Sequence, residues 1–309
     1  MFNHPPRNCG IYKLEKPAII STNNSCVFRG SITSTGEKVV LKFLPVFPET
    51  IKYVENECDI QSSLHHPFIM STKNSEFTYR RDKYRVLQMP VAWCSLALVH
   101  EHIQNIQTIY KIMYQALLAI SYLHDMRVLH GDIKPENFVL MNKSDDSIEI
   151  RVIDFGHSIR FEENDMEECI TDIASGTTTF NSPELLIKSS HSFPADIWSL
   201  GATFYYLITG ESVIKYDHIE IMYQNSMNIK LDFDKKFGPV FPPSGHDLLY
   251  KMLKFDPSER PTAAECLNFP FFAEFLDKQW IEEQHKLVNQ NMDNNVDITD
   301  ANNNEISVD

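Results

Sequence analysis

The spacing of apolar residues changes character about a third of the way along the chain. From Ile11 to about Met89, β-branched and aromatic runs alternate with turn residues: Pro17 to Ile20, Cys26 to Ile32, Val39 to Leu44 and Phe77 to Met89. These runs read as strands, and Thr35-Gly36 between two of them is a hairpin signal. One stretch breaks the rule. From about Glu49 to Leu64, Ile51, Val54 and Cys58 recur three and four residues apart, which predicts an amphipathic helix. Beyond Met89 the helical period dominates. Gln107 to His124 carries Ile109, Ile112, Met113, Ala116, Leu117, Ile120 and Leu123 as one stripe, most simply a core face. Further helices are predicted near Pro194 to Thr209, Ile219 to Gln224, Gly245 to Leu253 and Ala263 to Leu267. Asp145-Asp146-Ser147 reads as the turn of a hairpin between strands around Phe138 and Ile150. Residues 1–10 read as a loose leader. Residues 277–309, Asn- and Asp-rich and poor in aromatics beyond about Asn289, read as a disordered tail. The expected fold class is α+β, a sheet-rich part followed by a larger helical part.

Composition narrows the partners. Of 309 residues, 43% are hydrophobic, enough for a full core, and the formal net charge is −14 with a pI near 5.3. Such a balance argues against nucleic acid and against an anionic membrane, both of which need a basic face. An acidic surface suits basic protein substrates, or serves solubility alone. The six cysteines, at positions 9, 26, 58, 94, 169 and 266, form no C-x-x-C pair, and no His cluster stands at zinc spacing. A reduced chain in the cytoplasm, or in the nucleus, is the simple expectation. MFNHPPRNCG has no apolar core for a signal peptide, and the stretch from Trp198 to Ile208 is too short to span a bilayer.

The chemistry concentrates in Val128 to Asn137, VLHGDIKPEN. Asp132 and Lys134, two apart in an extended loop, project to the same side, and Pro135 stiffens the approach to Asn137. A carboxylate, an ammonium and an amide thus share one short loop. The string resembles the H-R-D-x-x-x-x-N loop of eukaryotic-type protein kinases, except that Gly131 replaces the arginine. Other motifs follow in the family's order. Val39-Val40-Leu41-Lys42 is similar to V-A-I-K, Asp154-Phe155-Gly156 to the metal-binding D-F-G and Ser182-Pro183-Glu184 to A-P-E. Asp196-Ile197-Trp198-Ser199-Leu200-Gly201 is similar to D-x-W-x-x-G, and Arg260 lies in a matching E-R-P-T-A.

The resemblance implies a two-lobed fold: a small β-sheet lobe with helix C over residues 11–89, then hinge and larger helical lobe over 90–276. It also implies ATP, Mg²⁺ and a protein substrate. Asp132 would accept the proton of the substrate hydroxyl, Lys134 would neutralise the transferring phosphate, and Asn137 and Asp154 would hold Mg²⁺. Lys42 would meet the α- and β-phosphates, held by Glu57, nine residues before His66-Pro67. Ile20, Val27, Val40, Gln88, Met89, Pro90 and Val139 would surround the nucleotide. Asp196 would accept catalytic-loop N–H groups, and Glu184 and Arg260 would form a buried ion pair. Thr177 would bond Asp132 and Lys134. Lys134 and Thr177 resemble the Ser/Thr branch, and the layout around His66-Pro67-Phe68 the calmodulin-dependent-kinase-like group. Glu136 hints at basic residues before the target hydroxyl.

Several positions depart from the family. The phosphate-covering loop should read G-x-G-x-x-G-x-V, yet Ile20, Thr22 and Ser25 occupy the three glycine positions. Glycine there lets backbone N–H groups approach phosphates closely, so weaker nucleotide binding is expected. The hydroxyls and amides of Thr22, Asn23, Asn24 and Ser25 offer partial replacement. Val40 is larger than the usual alanine, Leu87 is the expected gatekeeper, Pro90 lacks the N–H that the family gives to adenine, and Gln61 stands where an apolar residue is usual. With Gly131 and Ile159 at two common basic anchors, and Glu162, Glu163, Asp165, Glu167 and Glu168 nearby, a phosphate on Thr171 or Ser175 would meet repulsion. The expected function is a Ser/Thr protein kinase independent of activation-loop phosphorylation. The alternative is a pseudokinase that acts as a scaffold. A small-molecule kinase is disfavoured by Thr177 and Ser182-Pro183-Glu184.

Overall fold

The computed structural model describes residues 4–99, 102–143, 147–162, 168–170, 178–215 and 217–302. The chain divides into two units, residues 1–64 with 70–93 and residues 65–69 with 94–309.

The first unit is one antiparallel sheet and one helix. Its strands are β1 (Asn8–Cys9), β2 (Tyr12–Leu14), β3 (Ile20–Ser21), β4 (Cys26–Ile32), β5 (Lys38–Val46), β6 (Lys73–Tyr79) and β7 (Asp82–Pro90). They pair in the order β1-β2-β4-β5-β7-β6, with β3 also on β4. Gly36, at φ +75°, turns β4 into β5 where the hairpin was expected. The expected single run Phe77 to Met89 is instead a β6–β7 hairpin. Its tight turn holds Arg80 at φ +57°, a residue type that gives no turn signal. The expected loose leader is also corrected: Asn8 and Cys9 pair with Lys13 and Tyr12, and Cys9 is buried in the sheet core. Alternation sorts the two faces. Phe28, Leu41, Phe43, Tyr84 and Val86 pack together on one. Helix α1 (Ile51–Ser63) packs Val54 and Cys58 on Leu44 and Leu87.

The second unit is mainly helical. A small sheet orders β11 (Ile150–Val152), β10 (Phe138–Leu140) and β8 (Cys94–Ser95), which leads into α2 (Leu96–Val99). Phe138 stands opposite Val152, as expected for a hairpin, though Asp145 and Asp146 lie outside the described residues. Helix α3 (Ile106–Asp125) starts at Asn105, whose side chain accepts from the Gln107 N–H. Its predicted apolar stripe is buried throughout. Strand β9 (Val128–Leu129) pairs with β12 (Ile159–Arg160), and β13 (Glu168–Ile170) with β14 (Ser190–Ser192), which follows α4 (Pro183–Lys188). Helices α5 (Phe193–Thr209), α6 (Ile219–Ser226), α7 (Pro243–Met252), α8 (Ala263–Leu267) and α9 (Pro270–Phe275) complete the core.

The tail departs from expectation. Lys278 to Asn302 forms helix α10 rather than a disordered segment. Its docking rests on polar and aromatic contacts that a hydrophobicity pattern does not register. Gln115 Nε2 donates to Gln284 Oε1 at 2.9 Å, Tyr114 and His285 hydrogen-bond at 2.8 Å, and the Trp280 ring meets Tyr114 edge-on.

Candidate active site

The loop from His130 to Asn137 enters from β9 and closes in a 3-10 turn, Pro135–Asn137, before β10. Asp196, near the start of α5, anchors it: Oδ2 accepts the His130 N–H at 2.8 Å and Oδ1 the Gly131 N–H at 3.0 Å. His124, in the last turn of α3, adds Nε2 at 3.1 Å from Oδ2. Burial alone would push the Asp196 carboxyl up; the His124 bond and charge, with the His130 N–H, outweigh it and hold it below the usual carboxylate range. His124 was not legible as part of this anchor, because only the fold brings α3 beside α5.

His130 then joins two segments. Its Nδ1 accepts the Asp132 N–H at 3.2 Å, which leaves the proton on Nε2, 3.1 Å from the Ile153 carbonyl. The Ile153 N–H in turn donates to the Asn137 carbonyl at 2.9 Å. The residue next to Ile153 is Asp154. It takes φ +68°, a left-handed conformation that Asp tolerates better than most residues, and Phe155 is fully buried against the His130 ring. Two carboxylates are therefore positioned by one imidazole.

Around Asp132 the charges are compact. Lys134 Nζ lies 2.7 Å from Asp132 Oδ2, and Asn137 Nδ2 donates to the same oxygen at 3.0 Å and to the Asp132 carbonyl at 2.8 Å. With Oδ2 engaged twice, Oδ1 is the oxygen offered to an incoming hydroxyl. With its NH₂ turned to Asp132, Asn137 presents its Oδ1 as an acceptor. His157, directly after Asp154-Phe155-Gly156, places Nδ1 3.9 Å from Asp132 Oδ2, a neighbour that motif reading missed. Gly131 takes φ +76°, and a Cβ there would stand 2.6 Å from the His157 carbonyl oxygen. Glu184 and Arg260 form the expected pair, at 2.6 and 2.8 Å, with the Arg260 side chain fully buried. Val139 is buried in β10, and Thr177, with Thr171, Ser175, Glu163, Asp165 and Glu167, lies outside the described residues.

The first unit carries the remaining predicted residues. Register places Val27 opposite Lys42, Lys42 opposite Leu87 and Val40 opposite Met89. These five side chains therefore share one sheet face, as does Ile20, opposite Val27. Lys42 Nζ reaches Glu57 Oε1 of α1 at 2.5 Å, and both side chains are largely buried. Gln88 points to the other face, where its Oε1 accepts from Tyr12, and Pro90 is exposed at the end of β7. Gln61 is buried, and its Nε2 has no hydrogen-bond partner among the described residues.

The loop at Thr22 closes on itself. Thr22 Oγ1 accepts the N–H groups of Asn24 and Ser25 at 3.2 and 3.0 Å, and the Thr22 N–H donates to the Ser25 carbonyl at 2.9 Å. The N–H groups that a glycine-rich loop would leave for an anion are thus partly consumed, and the expected compensation from the Thr22 hydroxyl is turned inward.

Comparison with known proteins fits this arrangement. The protein kinase domain family matches residues 21–272. Calcium-dependent protein kinase 19 of Arabidopsis thaliana is 32% identical over 164 residues, 53% of this chain and 29% of that protein. Serine/threonine-protein kinase H1 homolog of Danio rerio is 26% identical over 182 residues, 59% of this chain and 42% of that protein. Serine/threonine-protein kinase/endoribonuclease ire-1 of Caenorhabditis elegans is 31% identical over 263 residues, 80% of this chain and 25% of that protein. The chain spans less than half the length of these curated relatives. With its ordered motifs, its sheet-plus-helix composition and a family match over most of its length, the chain belongs to the protein kinase domain family.

Proposed function

We propose that the protein transfers the γ-phosphate of ATP to serine or threonine hydroxyls of a protein substrate. One observation carries the reading: Asp132 is buried, braced by Lys134 and Asn137 on one oxygen, and open to an acceptor role on the other. As the substrate oxygen bonds to the γ-phosphorus and the bond to the β-phosphate oxygen breaks, Asp132 takes the hydroxyl proton and Lys134 offsets charge on the transferring group. Lys42, oriented by Glu57, is assigned to the α- and β-phosphates.

The oxygen donors Asn137 and Asp154 suit Mg²⁺, a hard ion that also takes water and phosphate oxygens. Among the described residues no cluster of three or more His, Cys, Asp or Glu could hold a metal unaided. Bound Mg²⁺ would supply charge neutralisation on the phosphates; the chain's part is to hold Asn137 and Asp154 in place. Activity is assigned as independent of activation-loop phosphorylation, because Gly131 offers no cation at the arginine position. The acidic balance fits basic substrates.

The self-closed loop at Thr22 favours a second reading, a scaffold that binds nucleotide without turnover. A thermal shift with Mg·ATP, run beside an autophosphorylation assay, separates the two. Nucleotide at a hundred times its Kd stabilises the fold by about 2.7 kcal/mol. Stabilisation with phosphate incorporation supports the kinase; stabilisation with none, in wild type as in Asp132→Asn, supports the scaffold.

A further inference from the structure

Strands β13 and β14 form a two-stranded ribbon within the second unit. Glu168 stands opposite Ser192, Cys169 opposite His191 and Ile170 opposite Ser190. Directly opposed residues of an antiparallel pair project to the same face, with Cβ atoms about 4.5–5.5 Å apart. The Cys169 thiol and the His191 imidazole are therefore neighbours. His191 is only 1% exposed, yet neither of its ring nitrogens has a hydrogen-bond partner among the described residues. Buried polar groups are nearly always paired, and leaving one unpaired costs about 1–3 kcal/mol. Packing alone would be better served by an apolar ring.

The other five cysteines make the contrast. Burial pushes the thiols of Cys9, Cys26 and Cys58 up to about 11 and that of Cys266 up to about 12; it also raises that of the partly exposed Cys94. Cys169 is partly exposed and directly faces an imidazole with unused nitrogens. Burial, the largest influence on His191, favours its neutral form, so a lone pair is available to take a proton. Asp196 favours the imidazolium that results, and His157 opposes it.

We propose that Cys169 is a modification site, a thiol activated by His191 that reacts with peroxides and soft electrophiles. His191 takes the S–H proton, and the thiolate attacks one oxygen of hydrogen peroxide. The S–O bond forms as the O–O bond breaks, and the departing hydroxide takes the proton from the imidazolium to leave water. Sulfur is oxidised by two electrons to sulfenic acid, and the peroxide is reduced. The added oxygen enters the shared face of the ribbon and pushes β13 from β14, in the stretch that precedes Ser182-Pro183-Glu184.

The test uses the full chain with limiting iodoacetamide at pH 7, each cysteine being followed by peptide mass spectrometry. Cys169 is expected to react at least about tenfold faster than Cys94, the other partly exposed thiol, and His191→Gln to remove that advantage. Continued protection of Cys9, Cys26, Cys58 and Cys266 reports that the variant is folded. Equal rates at Cys169 and Cys94 in wild type would overturn the proposal, as would an unchanged Cys169 rate in folded His191→Gln. Should the variant unfold, peroxide followed by dimedone decides on wild type. Dimedone on Cys169 and not on Cys94 supports the site; no dimedone on Cys169 refutes it.

Discussion

Replacing Glu184 by alanine should destabilise the second unit by about 3 kcal/mol. Removing one partner of a buried ion pair typically costs ~3–5 kcal/mol, because the other charge is stranded. Here the stranded group is the Arg260 guanidinium, whose side chain is 0% exposed. It would not be bare. Its nitrogens also donate to the carbonyls of Lys254, Pro194 and Phe255, and its Cζ lies 5.0 Å from the centre of the Trp198 ring. Those contacts place the loss at the lower end of the range. Arg260→Ala should cost more, ~4–5 kcal/mol, since it strands a carboxylate together with three carbonyls. Glu184→Gln keeps one acceptor and should cost about half as much as Glu184→Ala. Urea unfolding at pH 7, followed by tryptophan fluorescence, reads these losses; Trp198 sits beside the pair. In the double-mutant cycle the coupling should reach about 2 kcal/mol or more. A Glu184→Ala loss under about 1 kcal/mol would show that the pair does not hold α4 to the loop before α8.

Other expectations follow from the same contacts. Burial pushes the His66 pKa down to about 3, against about 6.5 in an unfolded chain. Its contribution is therefore whole above pH ~6.5 and is lost as pH falls toward 3, at up to about 1.4 kcal/mol per pH unit. Urea midpoints at pH 7, 6 and 5 should show that slope in wild type and a shallower one in His66→Gln; identical slopes would contradict it. Thr22→Gly should free the N–H groups of Asn24 and Ser25 and tighten Mg·ATP binding roughly tenfold, one hydrogen bond to a charged oxygen being worth about 1.5–3 kcal/mol. Calorimetric titration measures it, and unchanged or weaker affinity counts against the self-closed loop as the cause. Deleting residues 278–309 uncovers Tyr114 and takes one partner from Gln115, at a cost of roughly 2 kcal/mol or more. A truncated chain with an unaltered urea midpoint would mean that α10 does not dock.

The parts that could be read in advance were those written locally. Asp132, Lys134 and Asn137 lie within one loop, and Lys42, Asp154 and Glu184 each sit in a short string with a recognisable neighbour. Period-two alternation along Cys26–Ile32 and Lys38–Val46 placed Val27, Val40 and Lys42 on one face. What escaped was set by contacts distant in sequence or by unremarkable residue types. His124 reaches Asp196 across 72 positions and Gln115 reaches Gln284 across 169, and neither polar residue advertises a partner. Arg80 turns a hairpin in a conformation that glycine or asparagine would have announced. Thr22 was expected to lend its hydroxyl outward, but a threonine oxygen two and three residues before amide groups caps them first.

Turnover of wild type against Asp132→Asn, with saturating Mg·ATP and a serine-containing peptide, bears most directly on the assignment of Asp132 as proton acceptor. The amide keeps the size of the carboxylate but cannot take the hydroxyl proton. Nucleotide affinity should hold within a few-fold while kcat falls about 10²–10⁴-fold. Equal turnover by the two proteins would contradict the account.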